Sequence, residues 1–339
     1  MSSQANMTTP ETAQTYRDTF SIGKFARRNG TQLGIFGVFI ALWIFFIIMA
    51  PETFLESKIY YAFMSTIPFF AMSAMPLTMV VIAGEMDLSF PSIMAMGMIS
   101  FMFIYDTVPN VWLAFLAALL TGAFIGWLNG VIVVKFGIPS LVATIGTQFF
   151  WRGAVLVLGQ GKSGTLGYTK DTFLYPLFVS KIGDKFPMQM IWLILVALLI
   201  WLLLNHHKFG AHIYLIGDNV KSAELMGINT GRTRILAFAL VGLVSALAGV
   251  IASLYVTYFW PSLGDGYLLR TLASVFLGGT SVFGGVGTIF GTFIGAFIIG
   301  AIEAATVAIG LTGFWTQLIY GLIIVLSVIM HTYLRKRME

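Results

Sequence analysis

The sequence predicts an all-α polytopic membrane protein with about ten transmembrane helices in a chain of 339 residues. Three observations predict it. Hydrophobic residues make up 58% of the chain and charged residues only 10%, against about 25% charged in a soluble domain, so no soluble interior could hide this much apolar surface. The apolar runs are unbroken over about twenty residues, the length a helix needs to cross about 30 Å of hydrocarbon. Nor do they show the polar–apolar alternation of a membrane barrel strand. Hydrocarbon requires every backbone polar group to be satisfied within the span, which leaves helices.

The elements follow in order. Residues 1–30 form a polar tail, expected to be disordered over 1–20, with Arg17, Lys24, Arg27 and Arg28 just before the first apolar run. No small-residue cleavage site follows at signal-peptide distance, so the first span is expected to remain uncleaved. Spans are expected at 31–50, 59–83, 90–106, 111–134, 139–160, 188–205, 233–256, 267–280, 286–309 and 312–332, with 267–280 short enough to be a partial helix. The transmembrane domain is thus 31–332, and 333–339 is a C-terminal tail. Basic residues set the orientation. The N-terminal four, Arg335, Lys336 and Arg337, and Lys208, Lys221 and Arg232 in the 206–232 loop all mark the cytoplasmic side. Both termini are then cytoplasmic and the number of spans is even. The 161–187 segment lies outside; its Lys162, Lys170, Lys181 and Lys185, mixed with Asp171 and Asp184, run mildly against the rule.

The absence of cysteine excludes disulfides, thiol catalysis and Cys-based metal sites. The net charge of +5 sits at the tails and one loop and is not a nucleic-acid footprint. Glycines recur four apart at Gly122, Gly126 and Gly130 and at Gly287, Gly291 and Gly295, ridges that let helix backbones approach closely. They also fit an internal repeat between the fourth and ninth spans, which an offset of five makes inverted. Met94, Met96, Met98 and Met102 are expected to face neighbouring helices or lipid, and His206, His207, His212 and His331 are structural, without metal-ligand spacing.

Three motifs interrupt the apolar pattern. In AGEMDLSFPS, Gly84 ends one helix, Ser89 can cap the next and Pro91 is tolerated in its first turn. Glu85 and Asp87 there are either solvated at the membrane edge or hold backbone amides or a neighbouring helix. In the 207–232 loop, Asp218 or Asn219 can cap a short helix over 219–226 that Gly227 ends. A capped amphipathic helix between spans suits docking on a soluble partner, with Ala223, Leu225 and Met226 as its apolar contact and Glu224 beside them. In LGGTSVFGGVG, Gly278, Gly279, Thr280, Gly284 and Gly285 allow a tight re-entry turn. Gly161-Lys162-Ser163 is not a phosphate-binding loop, because Leu156 stands where glycine is required. The chain thus carries no catalytic residues and no nucleotide-hydrolysing site.

In these motifs the chain resembles the permease subunits of bacterial ribose, galactose, arabinose and autoinducer-type ABC importers. Their GGIDLS is here GEMDLS, their YxIGxN cytoplasmic loop is here YLIGDN followed by SAELMGIN, and their GGTS turn is here GGTSVFGGVG, in matching order over about 60–332. The resemblance implies a permease fold similar to the cobalamin importer's membrane subunit, in the bacterial inner membrane. It further implies two permeases, the second a copy or a paralogue, two ATPase subunits carrying ATP and Mg, and a periplasmic or lipid-anchored solute-binding protein delivering a small polar solute. The 219–226 helix would be the ATPase-coupling element. Glu85 replaces a common Gly, Leu269-Arg270 stands where Leu and an acid are usual, and Glu303 where an amide is frequent.

Charge inside the bilayer costs about 2.5–3.5 kcal/mol on insertion scales. Arg152 and Glu303 are therefore either satisfied, Arg152 by snorkelling to the outer interface and Glu303 by a helix–helix hydrogen bond, or placed, with Arg270 as a further candidate, on the path of a hydroxylated solute such as a sugar. An ion-gradient-driven carrier also uses inverted repeats and buried charges, but has no need of a capped docking helix. An intramembrane enzyme would need a catalytic constellation that the sequence lacks.

Overall fold

A computed structural model describes residues 30–338 except residue 184. The basic N-terminal segment, Asp184 and the side chains of His331, Arg335, Lys336 and Arg337 lie outside what it describes. The helices are α1 (Gly30–Met49), α2 (Pro51–Phe54), α3 (Ser57–Thr66), α4 (Pro68–Ile82), α5 (Phe90–Thr107), α6 (Val111–Phe136), α7 (Ser140–Leu158), α8 (Leu174–Val179), α9 (Met188–His206), α10 (Lys208–Asp218), α11 (Val220–Leu225), α12 (Thr230–Val256), α13 (Leu268–Leu277), α14 (Ile289–Ala308) and α15 (Phe314–Met338). The protein is an all-α, multi-pass membrane protein. Large apolar side chains such as Phe124, Phe149, Phe150, Val157 and Leu318 point outward, while Ser73, Thr78, Asn129 and Thr292 are fully buried.

Among the described residues seven single helices are long and apolar enough to cross a membrane, and the α3–α4 pair makes an eighth candidate, bent by 52°. The bend falls where Pro68, at the start of α4, follows Ile67. Pro lacks the N–H that would continue the α3 ladder. The remaining expected spans differ. The 267–280 segment is only the ten-residue α13, which rises about 15 Å, half the hydrocarbon thickness. The apolar part of α15, Phe314–Met330, falls just under the crossing length, and α15 runs on as helix to Met338 where a separate tail was expected.

Helix α4 is the centre of the bundle; every residue from Pro68 to Ile82 is buried. Around it α12 packs on α6 and α5, and α14 on α13. Both glycine ridges are used in these contacts. A Cβ at Gly126 would lie 2.2 Å from the Phe238 carbonyl oxygen, and one at Gly295 would lie 2.4 Å from that of Ser274. Met94, Met96 and Met98 are buried against neighbouring helices. The 161–187 segment is folded rather than a plain loop. Gly164–Thr165 pairs antiparallel with Tyr258–Phe259, Lys181–Ile182 with Phe186–Pro187, and Tyr168 stacks on Tyr105 with ring centroids 4.0 Å apart.

Candidate functional site

The docking segment is built as two helices, not one in a loop. His207 Nδ1 accepts from the Phe209 N–H and caps α10. This helix was not foreseen, because Gly210 and Gly217 weaken the helical signal of KFGAHIYLIGD. Asn219, rather than Asp218, caps α11, its Oδ1 accepting from the Ser222 N–H at 2.9 Å. Gly227 follows at φ +81°, the left-handed conformation that ends a helix and favours glycine. Leu225 is 84% exposed and Met226 59% exposed, whereas Ala223, expected beside them on the docking face, is fully buried within the chain. Its place in the sequence pattern was right for an apolar position, but the helix turns it inward. Glu224 is turned back, accepting from the Thr230 hydroxyl.

Helix α10 is locked to the membrane domain by glycines. Gly217 sits so close to α4 that a Cβ there would lie 1.7 Å from the Ile82 carbonyl oxygen. That same carbonyl accepts from the Gly285 N–H at 2.8 Å. Gly84 (φ +80°), Gly279 (φ +81°), Gly284 (φ +84°) and Gly285 (φ +73°) all take left-handed backbone. A Cβ at Gly278 would meet Gly291 at 2.6 Å, and Thr280 is buried beside it. Tyr214 closes the junction, its hydroxyl donating to the Gly287 carbonyl at 2.8 Å, and burial pushes its phenol up from the usual range. The end of α10, the turn after α4 and the turn before α14 thus meet in one knot.

In the turn after α4 the two acids do what a structured turn requires. Glu85 pairs with Arg234 in the first turns of α12 at 2.6 Å. Asp87 is fully buried, and its Oδ1 accepts from the Ser89 N–H at 2.8 Å and the Ser89 hydroxyl at 2.6 Å. Burial pushes its carboxyl up to about 6, and the bonds from Ser89 oppose the rise. Ser89 does not cap α5 with its side chain as expected; its hydroxyl donates to Asp87 and accepts from Asn129 Nδ2 at 2.6 Å. Sequence reasoning missed Arg234, although an arginine inside the expected 233–256 span is itself a signal that a partner must exist.

The three membrane charges separate into two groups. Arg152 is held by the Pro261 carbonyl, the Leu263 carbonyl at 2.9 Å and Asp265 Oδ1 at 2.5 Å, and so ties α7 to the 258–267 segment. Arg270 and Glu303 meet each other, Nη2 donating to Oε1 at 2.6 Å. They line a cavity of about 390 Å³ with Thr53, Phe63, Thr66 and Phe70.

Comparison with known proteins agrees with this architecture. Residues 59–328 match the family model described as the branched-chain amino acid transport system / permease component. The ribose import permease protein RbsC of Escherichia coli is 33% identical over 262 residues, covering 76% of this chain and 81% of that protein. Its counterpart in Haemophilus influenzae is 31% identical over 269 residues, covering 78% and 82%. The autoinducer 2 import system permease protein LsrC of Yersinia enterocolitica is 34% identical over 250 residues, covering 73% and 68%. No solved structure matches the chain.

Proposed function

Because the chain belongs to the family of branched-chain amino acid transport system permease components, we propose that it is the membrane-spanning subunit of an ATP-driven importer for a sugar or similar small polar solute. It would sit in the bacterial inner membrane with both termini cytoplasmic and work as one of two permeases. ATP hydrolysis belongs to separate ATPase subunits, and a periplasmic or lipid-anchored binding protein delivers the solute. Relatives named for ribose and autoinducer 2 import support the solute class.

The observation that carries the reading is the α10–α11 unit. It presents Leu225 and Met226 outward and is joined by Gly217 directly to α4 and to the turn before α14. An apolar pair on a short capped helix is a docking tip, and close glycine packing has no side chain to absorb a displacement. When a partner's nucleotide domains close, the push on α11 reaches α4 and α14 as a rigid movement, and the path between permeases changes the side to which it opens. The chain supplies the path and the lever. The test is purification through a tag on this chain: an ATPase subunit should be retained and its hydrolysis stimulated by the solute-loaded binding protein. Purification without any ATPase, from membranes that contain all the subunits, would contradict the reading.

A further inference from the structure

The cavity between α3 and α14 has a polarity, a depth and a mouth that together define what it can hold. The turn before α14 lies at the coupling end of the molecule, against Gly217 and Tyr214. Glu303 stands about 20 Å above the start of α14 at Ile289, so the cavity occupies the half of the membrane domain remote from the docking helix. At that end it continues toward the α2–α3 connection, where Thr53 and Ile59 are shared with a groove lined by Glu52, Glu56 and Lys58. The space lies beside the 52° bend between α3 and α4 at Pro68, where Gly300 of α14 packs closely against Ile67.

We propose that this cavity, walled by the Arg270–Glu303 pair, is a binding site for an uncharged polyhydroxylated solute. The proposal rests on the importer reading for the solute's onward path. Arg270 is 27% and Glu303 37% exposed at the side chain, so the pair is partly open to the cavity. A single Nη2–Oε1 contact joins them, and a guanidinium carries five N–H donors while a carboxylate accepts at two oxygens. A hydroxyl both donates and accepts, so vicinal hydroxyls match a donor and an acceptor set side by side. Ile59, Ala304 and the exposed Val307 offer apolar surface to the C–H side of a ring. Charge decides against an anion. The pair sums to zero, and Glu52 and Glu56 outnumber Lys58 at the mouth. The volume of about 390 Å³ lies at the small end of ligand pockets, about 300–1,000 Å³, which suits a monosaccharide-sized guest.

The natural chain has no cysteine, so a single Ala304→Cys in the cavity wall can be probed in the assembled complex with charged, membrane-impermeant methanethiosulfonates added from the binding-protein side. Leu199→Cys, on an outward apolar face, is the lipid-facing control. Labelling of Ala304→Cys is expected, faster with the cationic than the anionic reagent, with no labelling of Leu199→Cys. D-ribose, D-galactose or myo-inositol at tens of millimolar should slow labelling about fivefold or more for at least one of the three, and D-gluconate and D-galacturonate should not. Arg270→Gln with Glu303→Gln should remove the protection while leaving the labelling. Failure of Ala304→Cys to label, absence of protection by all three neutral compounds, or equal protection by the acids overturns the proposal. Labelling is read without transport. A protected cavity in a complex with no ATP-driven uptake would count against the importer reading alone, and unaltered uptake by the Arg270→Gln, Glu303→Gln double variant would count against this site alone.

Discussion

Arg234 and Glu85 lie 149 positions apart and meet as an ion pair at 2.6 Å, joining the first turns of α12 to the turn that follows α4. Both are largely screened from solvent, with side chains 20% and 12% exposed. Removing one partner of a buried pair leaves an uncompensated charge at a cost of about 3–5 kcal/mol. Glu85→Gln and Arg234→Gln should each lower the thermal stability of the detergent-solubilised protein and reduce coupled uptake. The Glu85→Gln, Arg234→Gln double variant should lose less than the two single losses added together. Additive losses in this cycle would show that the pair does not act as a unit.

Gly217→Ala should abolish coupled uptake, because the new Cβ would lie 1.7 Å from the Ile82 carbonyl oxygen and force α10 off the knot. Gly146→Ala, with no atom within 4 Å of the added Cβ, is the matched control and should transport normally. Uptake assays normalised to membrane abundance decide between them. Equal activity of the two variants would mean that close packing at Gly217 is not required for coupling.

Gly227→Val should cut uptake while leaving the spans inserted. The position takes φ +81° with open space around it, so the penalty is conformational, of order 1–2 kcal/mol for a side chain in left-handed backbone. Gly227→Asn should retain more activity than valine, since asparagine enters that region more readily. Equal loss for both variants would point to a steric cause instead.

Leu225→Asp should reduce ATPase co-purification at normal permease abundance, because it places a charge in the exposed tip. Ala223→Asp probes the fold rather than the docking surface. Ala223 is fully buried, so the aspartate should lower permease abundance itself. Abundance and ATPase recovery measured together separate the two effects, and normal recovery with Leu225→Asp would remove α11 from the docking surface.

Much of this was legible in the sequence because the responsible signals are local. The long apolar runs, the Asn219 cap, the Gly227 stop and the glycine turn at 278–285 are each read within a few residues. What was hidden depends on tertiary placement. The inward turn of Ala223 is set by packing against the neighbouring helices, which no stretch of α11 encodes. The partners of Arg152 and Glu85, at Asp265 and Arg234, lie far along the chain. The bend at Pro68 was hidden because apolar residues continue on both sides of it, whereas Pro76 lies inside the unbroken α4. Glu303 was singled out as a charge needing a partner and Arg270 as a candidate on the solute path, but one sequence could not show that they satisfy each other.

Reconstitution tests the central claim most directly. The chain, its ATPase and its binding protein are placed in sealed vesicles, and accumulation of labelled solute is followed with ATP present or absent on the ATPase side. The account predicts accumulation above the external concentration only with ATPase and ATP together, and none with the chain alone under an imposed proton or sodium gradient. Accumulation by the chain alone, driven by the ion gradient, would contradict it.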